Sequence, residues 1–247
     1  MENKTGENKQ KTVTEQLLIQ IRKQIVDGSF KSNDQIPTEL ELAKQYNISR
    51  TSVREALKTL NYLGIVESHT SRGTRITNKN RIIEEAAAWS VILNADDMRD
   101  VFALGTALDT QVSIIIIKGL LHNPNAYRHF CSEIDEILIR LSEAAFISDI
   151  DDFTTAFSDF FRALYAFTRN MVFISLNECI DTIVGKRVCA AYRTMGVLFN
   201  VADFLISAWE AIRHCDMTNC IEIFQDYGAF AYDVVLQYEE HMENQPQ

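Results

Sequence analysis

Between Ile36 and Ile76 the spacing of apolar residues changes twice, and residues that stop one element and start the next mark each change. Leu40, Leu42 and Ala43 give a short helix over 39–45 an apolar stripe, and Tyr46-Asn47-Ile48 follows as a tight turn. Ser49 then suits the N-cap of a second helix, where its hydroxyl accepts from the orphan N–H groups of the first turn. Ser52 and Val53 lead into Ala56, Leu57, Leu60 and Leu63 at three- and four-residue spacing. That spacing buries one face and leaves Arg50, Thr51, Arg54 and Lys58 on the other. Gly64 stops the helix, Ile65 and Val66 resume a strand-like run, and Ser71-Arg72-Gly73-Thr74 forms a hairpin tip with a basic side chain.

Helix, turn, helix and hairpin in this order predict a winged helix-turn-helix, whose second helix brings its N-terminal turn to base edges and phosphates of double-stranded DNA. Arg50 and Arg54 are expected to contact DNA most strongly, with Ser49, Thr51 and Ser52 on phosphates or base edges and Lys58 on the same face. Arg72, Gly73 and Thr74 should reach the minor groove or backbone. Glu39 and Glu55 read as scaffold groups, capping or pairing with neighbouring arginines. Singly, each cation is an ordinary solvated side chain and each glycine an ordinary turn; their common register carries the reading.

Charge is divided in the same way. Residues 1–80 hold thirteen Lys/Arg against nine Asp/Glu, a balance of +4, whereas the rest hold eleven against twenty-five, a balance of −14. Only the first segment suits a phosphate backbone, whose neutralisation drives association. The length of 247 residues and 47% apolar composition support two domains. Residues 1–11 read as a disordered tail, 12–78 as the winged helix-turn-helix, 79–85 as a linker and 86–242 as a second domain. Thr12 or Thr14 caps an opening helix with Leu17, Leu18, Ile21 and Ile25 inward, and Gly28 ends it.

From Ile82 onward no alternating strand pattern occurs, so the second domain reads as an all-helical bundle and the fold class as mainly α. Its helices are expected over about 82–92, 96–120, 125–147, 149–168, 170–198, 200–214 and 217–241. The first eleven residues are polar, and apolar runs such as Ile114–Ile117 fall far short of the ~20 residues that span a bilayer, so a cytoplasmic protein without membrane contact is expected. The five cysteines, Cys131, Cys179, Cys189, Cys215 and Cys220, are scattered and read as reduced core residues.

The first third of the chain resembles the GntR family of bacterial regulators. The residues that carry this are Ile36-Pro37-Thr38-Glu39, Leu42-Ala43, Ser49-Arg50, Val53-Arg54-Glu55-Ala56-Leu57, Gly64 and Gly73-Thr74. Leu40 departs from the arginine many relatives have there, which removes a phosphate or base contact, and Ser71 departs from a frequent glycine. The all-helical second domain resembles the FCD bundle of the FadR subfamily through Leu108-Asp109, Phe160, Arg162-Ala163-Leu164, Asn170, Ala211-Ile212 and Asp216. Most such bundles hold a divalent metal through an Asp and three His; the aligned positions here are Phe157, Phe161, Leu205 and Tyr227. Phe and Leu cannot ligate a metal and Tyr227 alone is a poor substitute, so neither metal nor other cofactor is expected. These four positions line either a filled core or a greasy pocket with Tyr227 as polar handle. The aromatic stripe at Phe153, Phe157, Phe160, Phe161, Leu164 and Phe167 is what any buried helix shows.

The resemblance implies a sequence-specific transcriptional regulator, a repressor, whose homodimer reads a palindromic operator. It further implies a small-molecule effector, apolar or acyl-bearing, in the helical domain, with Arg162, Arg187 or Arg193 available to anchor a carboxylate or phosphate. A second reading is a DNA-binding dimer whose helical domain only dimerises or binds another protein. An enzyme is not expected, since no nucleophile-base-acid set, phosphate-binding glycine loop or metal motif occurs.

Overall fold

A computed structural model describes residues 12–69, 73–77 and 98–244, which fall in two compact units, residues 1–82 and 83–247. The expected tail, the linker at 79–85, the helix at 82–92 and Arg72 lie outside the described residues.

In the first unit, helices begin where side chains satisfy the orphan amides. α1 (Val13–Val26) opens on a capping box: Thr12 accepts from the Glu15 amide, and the Glu15 carboxylate accepts from the Thr12 amide at 2.7 Å. α2 (Glu39–Tyr46) repeats the device with Thr38 and Glu41. Asn47, at φ 52°, takes the left-handed conformation that turns the chain into Ser49, the N-cap of α3 (Arg50–Tyr62). Gly64, at φ 69°, ends α3 and leads to the hairpin of β1 (Val66–His69) and β2 (Gly73–Ile76), paired antiparallel with Val66 opposite Ile76. The segment before α2 lies on the hairpin's free edge, where the Ile36 amide donates to the Thr74 carbonyl at 3.0 Å.

The core of this unit joins Leu17 and Ile21 of α1 to Leu42, Val53, Ala56, Leu57, Leu60, Val66 and Ile76. Leu18 and Ile25, expected inward, pack at its rim. Leu40, expected in the apolar stripe of α2, is 48% exposed. Helix positions two apart in sequence point ~200° apart, so Leu40 cannot share a face with Leu42.

The second unit is an all-helical bundle. α4 (Met98–His122) leads through a 3₁₀ turn, Pro124–Tyr127, into α5 (Arg128–Ile147). α6 (Ile150–Phe167) starts at the Asp149 cap and α7 (Met171–Ile180) at the Asn170 cap. α7 continues through a single π-helical stretch, Asp181–Gly185, into α8 (Lys186–Thr194). α9 (Leu198–Arg213) and α10 (Met217–Glu243) complete the unit. The one helix expected over 170–198 is thus interrupted twice, by the π stretch and by Gly196 at φ 69°. α5 packs on α6, α4 on α10, and α9 against both α5 and α10. Trp209, Tyr192, Phe153, Phe160 and Phe224 are fully buried at the centre.

α4 is long and apolar enough to cross a membrane by composition, a property that counting uninterrupted apolar runs missed. In the bundle its Val112, Ile116 and Ile117 are fully buried. Cys179, Cys189 and Cys220 are buried as expected, while Cys131 and Cys215 are only partly so. Burial pushes the Cys220 thiol up to about 11.

Candidate functional site

The exposed face of α3 is a short basic row. Arg50, Arg54 and Lys58 keep 62%, 54% and 67% of their side chains exposed, one turn apart along the helix, while Val53, Ala56, Leu57 and Leu60 hold the other face in the core. Arg54 is oriented by a two-point clamp: its Nε donates to Glu39 Oε1 at 3.1 Å and its Nη2 to Oε2 at 2.9 Å. The hydrogen bond from Arg54 holds the Glu39 carboxyl below the usual carboxylate range. Arg50 lies 3.9 Å from the same carboxylate, and Lys58 pairs with Glu55 at 3.2 Å. These pairs are exposed and therefore weak, so a phosphate or guanine edge can replace the carboxylate without a large desolvation cost.

The Ser49 hydroxyl accepts from the Ser52 amide at 3.0 Å and lies 2.9 Å from the Ser52 hydroxyl. Both serines are thereby engaged in capping α3, and Thr51 is exposed beside Arg50. On the wing, Gly73 takes φ 74°, and a Cβ there would come within 2.7 Å of Gln35 Nε2; Thr74 Oγ1 lies 3.1 Å from Ser68 Oγ. A residue that sequence reasoning passed over, Arg75, ties the wing to the preceding segment by donating to the Asn33 carbonyl at 2.9 Å. Its side of the hairpin could be read only once the bridge to Gln35 was known.

The helical unit holds a cavity between α4, α6, the π stretch, α8 and α10, with about 90 Å³ open to the centres of water molecules. Phe157, Phe161 and Tyr227 line it, together with Phe102, Tyr165 and Tyr192. Two of the expected pocket residues do not. Leu205 is buried in the core away from the lining, and Arg193 is exposed near the end of α8. Arg193 directly follows the buried Tyr192, and neighbouring helix positions point ~100° apart. Arg162 pairs outward with Asp159 at 2.6 Å and Arg187 with Glu239 at 2.5 Å, so neither reaches the cavity.

Apart from Tyr227, expected as the polar handle, the polar groups of the cavity were not among the expected pocket residues. Asp109 is 9% exposed, and burial lifts its carboxyl to about 7. Its Oδ1 accepts from the Tyr165 hydroxyl at 2.7 Å. The Tyr192 and Tyr227 hydroxyls are 3.1 Å apart, and burial pushes all three phenols above their ordinary range. The π stretch brings Asp181 to the rim, where Ser158 donates to it at 3.3 Å. The signal for Asp109 was present in the sequence as a carboxylate next to Leu108 and one turn from Val112, on an apolar face. Among the described residues no three His, Cys, Asp or Glu side chains converge on a point.

Residues 13–76 match the family model described as bacterial regulatory proteins, gntR family. An uncharacterized HTH-type transcriptional regulator, YieP of Escherichia coli K12, is 35% identical over 83 residues, which are 32% of this chain and 36% of that protein. The chain thus spans about a third of the first curated relatives it matches. The galactonate operon transcriptional repressor of E. coli K12 is 24% identical over 210 residues, 82% of this chain and 88% of the relative. A solved structure, Streptococcus agalactiae GntR, has a TM-score of 0.56 at 18% identity, covering 90% of this chain and 99% of that one. It shares the order of a winged helix-turn-helix followed by a helical domain.

Proposed function

We propose that this chain, whose residues 13–76 match the gntR family model, is a cytoplasmic transcriptional regulator that represses by binding a palindromic operator as a homodimer. The observation that carries the reading is the row Arg50, Arg54 and Lys58, exposed on a helix whose other face is locked into the core and which is followed by the Gly73-Thr74 wing. A helix so held can enter a major groove with its N-terminal turn leading. One such domain reads one half-site, and a two-fold dimer gains affinity and specificity from the second. Relatives named as repressors of the galactonate and mannosyl-D-glycerate systems favour repression.

Regulation follows from the second unit. A small molecule in the cavity lined by Phe157, Phe161 and Tyr227 shifts DNA affinity to the extent that it binds one arrangement of the dimer better than the other. That cavity favours an effector-responsive regulator over one whose helical domain only dimerises. The described lining offers an effector aromatic, phenolic and carboxylate groups of the chain itself. The test is selection of duplexes from a random pool by the full-length protein, with the mass of the complex measured alongside. Enrichment of a two-fold symmetric site bound by two chains is the expected result. Enrichment of an asymmetric site bound by one chain, or no enrichment, overturns the proposal.

A further inference from the structure

We propose that the cavity of the helical unit takes a small organic cation, an aryl or alkyl ammonium, bound between Asp109 and Asp181 within an aromatic wall. The inference rests on reading this cavity as the effector site and names the ligand class. Among the described lining residues the ionisable groups are two carboxylates and three phenols, Asp109, Asp181, Tyr165, Tyr192 and Tyr227, with no Lys, Arg or His. Asp109 is more than nine-tenths buried, and only one of its oxygens accepts a hydrogen bond among the described residues, from Tyr165. A carboxylate so deeply buried that receives one phenolic donor favours a further donor or a positive charge from a ligand.

The remaining wall fits the same chemistry. Phe102, Phe157, Phe161, Tyr192 and Tyr227 line the cavity, and Phe157 stands edge-on to both Phe161, at 5.2 Å between ring centroids, and Tyr192, at 6.1 Å. Ring faces attract a desolvated cation and give nothing comparable to an anion. A carboxylate or phosphate ligand would lie beside Asp109 with no cation to offset the repulsion, because Arg162, Arg187 and Arg193 all lie off the cavity. This separates the ligand from the acyl-bearing anion that the family resemblance implies. A water needs ~10–15 Å³ by this measure, so about 90 Å³ admits roughly six to nine water-sized groups, the bulk of a single-ring amine.

Protonation gives an independent readout. The three phenols are pushed above their ordinary range, so Asp109, at about 7, is the cavity group that titrates near neutrality. An ammonium beside it favours the charged carboxylate, so binding near neutral pH releases a proton.

The experiment is calorimetry on the full chain with phenethylammonium and, as its near-isosteric opposite, phenylpropionate, in two buffers of different ionisation heat. The cation is expected to bind at least about tenfold more tightly, with a heat that differs between buffers near neutral pH. Asp109→Asn should abolish both the preference and the buffer dependence, and Asp181→Asn should weaken the preference. Gly105→Leu, where an added Cβ meets nothing within 4 Å, should fill the cavity and remove binding of either probe. Equal or tighter binding of the carboxylate, or binding of neither probe at millimolar concentration, overturns the proposal. Addition of the cation to the DNA complex separates the two readings. If it binds without changing operator affinity, the ligand class stands and the regulatory reading falls; if phenylpropionate alone releases DNA, the ligand class falls and the regulatory reading stands.

Discussion

Replacing Asp109 by Asn is expected to stabilise the empty protein, and to do so more as the pH rises. Asp109 is buried against α6 and α10, and its carboxyl is raised from 3.8 to about 7 because burial disfavours the charge more than the Tyr165 hydrogen bond favours it. A carboxyl that holds its proton more tightly folded than unfolded makes the native state the more protonated one between those two values. Raising the pH through that window therefore lowers stability by up to a factor of ten in the folding constant per unit, and the loss is complete above about pH 7. Over about three units the full penalty is ~4 kcal/mol, an upper bound because water entering the cavity relaxes it. Asn keeps the shape and an acceptor for Tyr165 and carries no charge.

The assay is urea unfolding followed by tryptophan fluorescence at a series of pH values. Trp209 is buried in this core, and neither tryptophan lies in residues 1–82, so the signal reports the helical unit. The variant's advantage should be smallest near pH 4, grow through pH 6 and level off above about pH 7. A gap that stays constant with pH, or a wild type more stable than the variant at about pH 8, refutes the reasoning, since either means that Asp109 is not a buried acid titrating near neutrality.

Arg54→Ala should weaken specific duplex binding about tenfold or more while helicity and assembly stay unchanged, as read by fluorescence anisotropy and circular dichroism; unaltered affinity contradicts the assignment. Lys58→Ala should weaken binding to all sequences alike and lower the salt slope by about one phosphate contact. Ser49→Ala removes the cap of α3 and is expected to cost ~1 kcal/mol, seen as faster amide exchange in that helix; protection equal to wild type would show that the cap is redundant. Tyr165→Phe takes away the hydrogen bond that favours the Asp109 carboxylate. Its titration, followed by carboxyl carbon NMR, should therefore move upward from about 7, and a downward move contradicts the geometry.

What could be read from the chain depended on whether neighbours in sequence were also the neighbours that decide the structure. The first unit is made of local devices: two capping boxes, an asparagine in the left-handed turn and a glycine closing α3. Each lies within four residues of the groups it satisfies, so spacing alone placed the exposed row Arg50, Arg54 and Lys58. Glu39 could be read as a partner of neighbouring arginines, but its two-point hold on Arg54 joins residues fifteen apart on different helices.

The helical unit resisted the same treatment because its cavity is made of contacts between helices distant in sequence. Tyr165 meets Asp109 across 56 positions, and Tyr192 meets Tyr227 across 35. Periodicity gave Phe157 and Phe161 an inward direction and the resemblance aligned Tyr227 with them, but neither could tell a filled core from an open one, since both need the same apolar stripe. Two features decide that question, and neither has a periodic signature. The π stretch at Asp181–Gly185 carries Asp181, Val184 and Gly185 to the cavity wall. Gly228 lets α10 approach α4 so closely that a Cβ there would fall 2.0 Å from Thr106 Oγ1. Asp109 is the residue whose meaning changed most. As part of a leucine-acid pair it served only as a mark of resemblance, whereas between apolar helix positions and opposite a buried phenol it is the group on which the proposed ligand class rests.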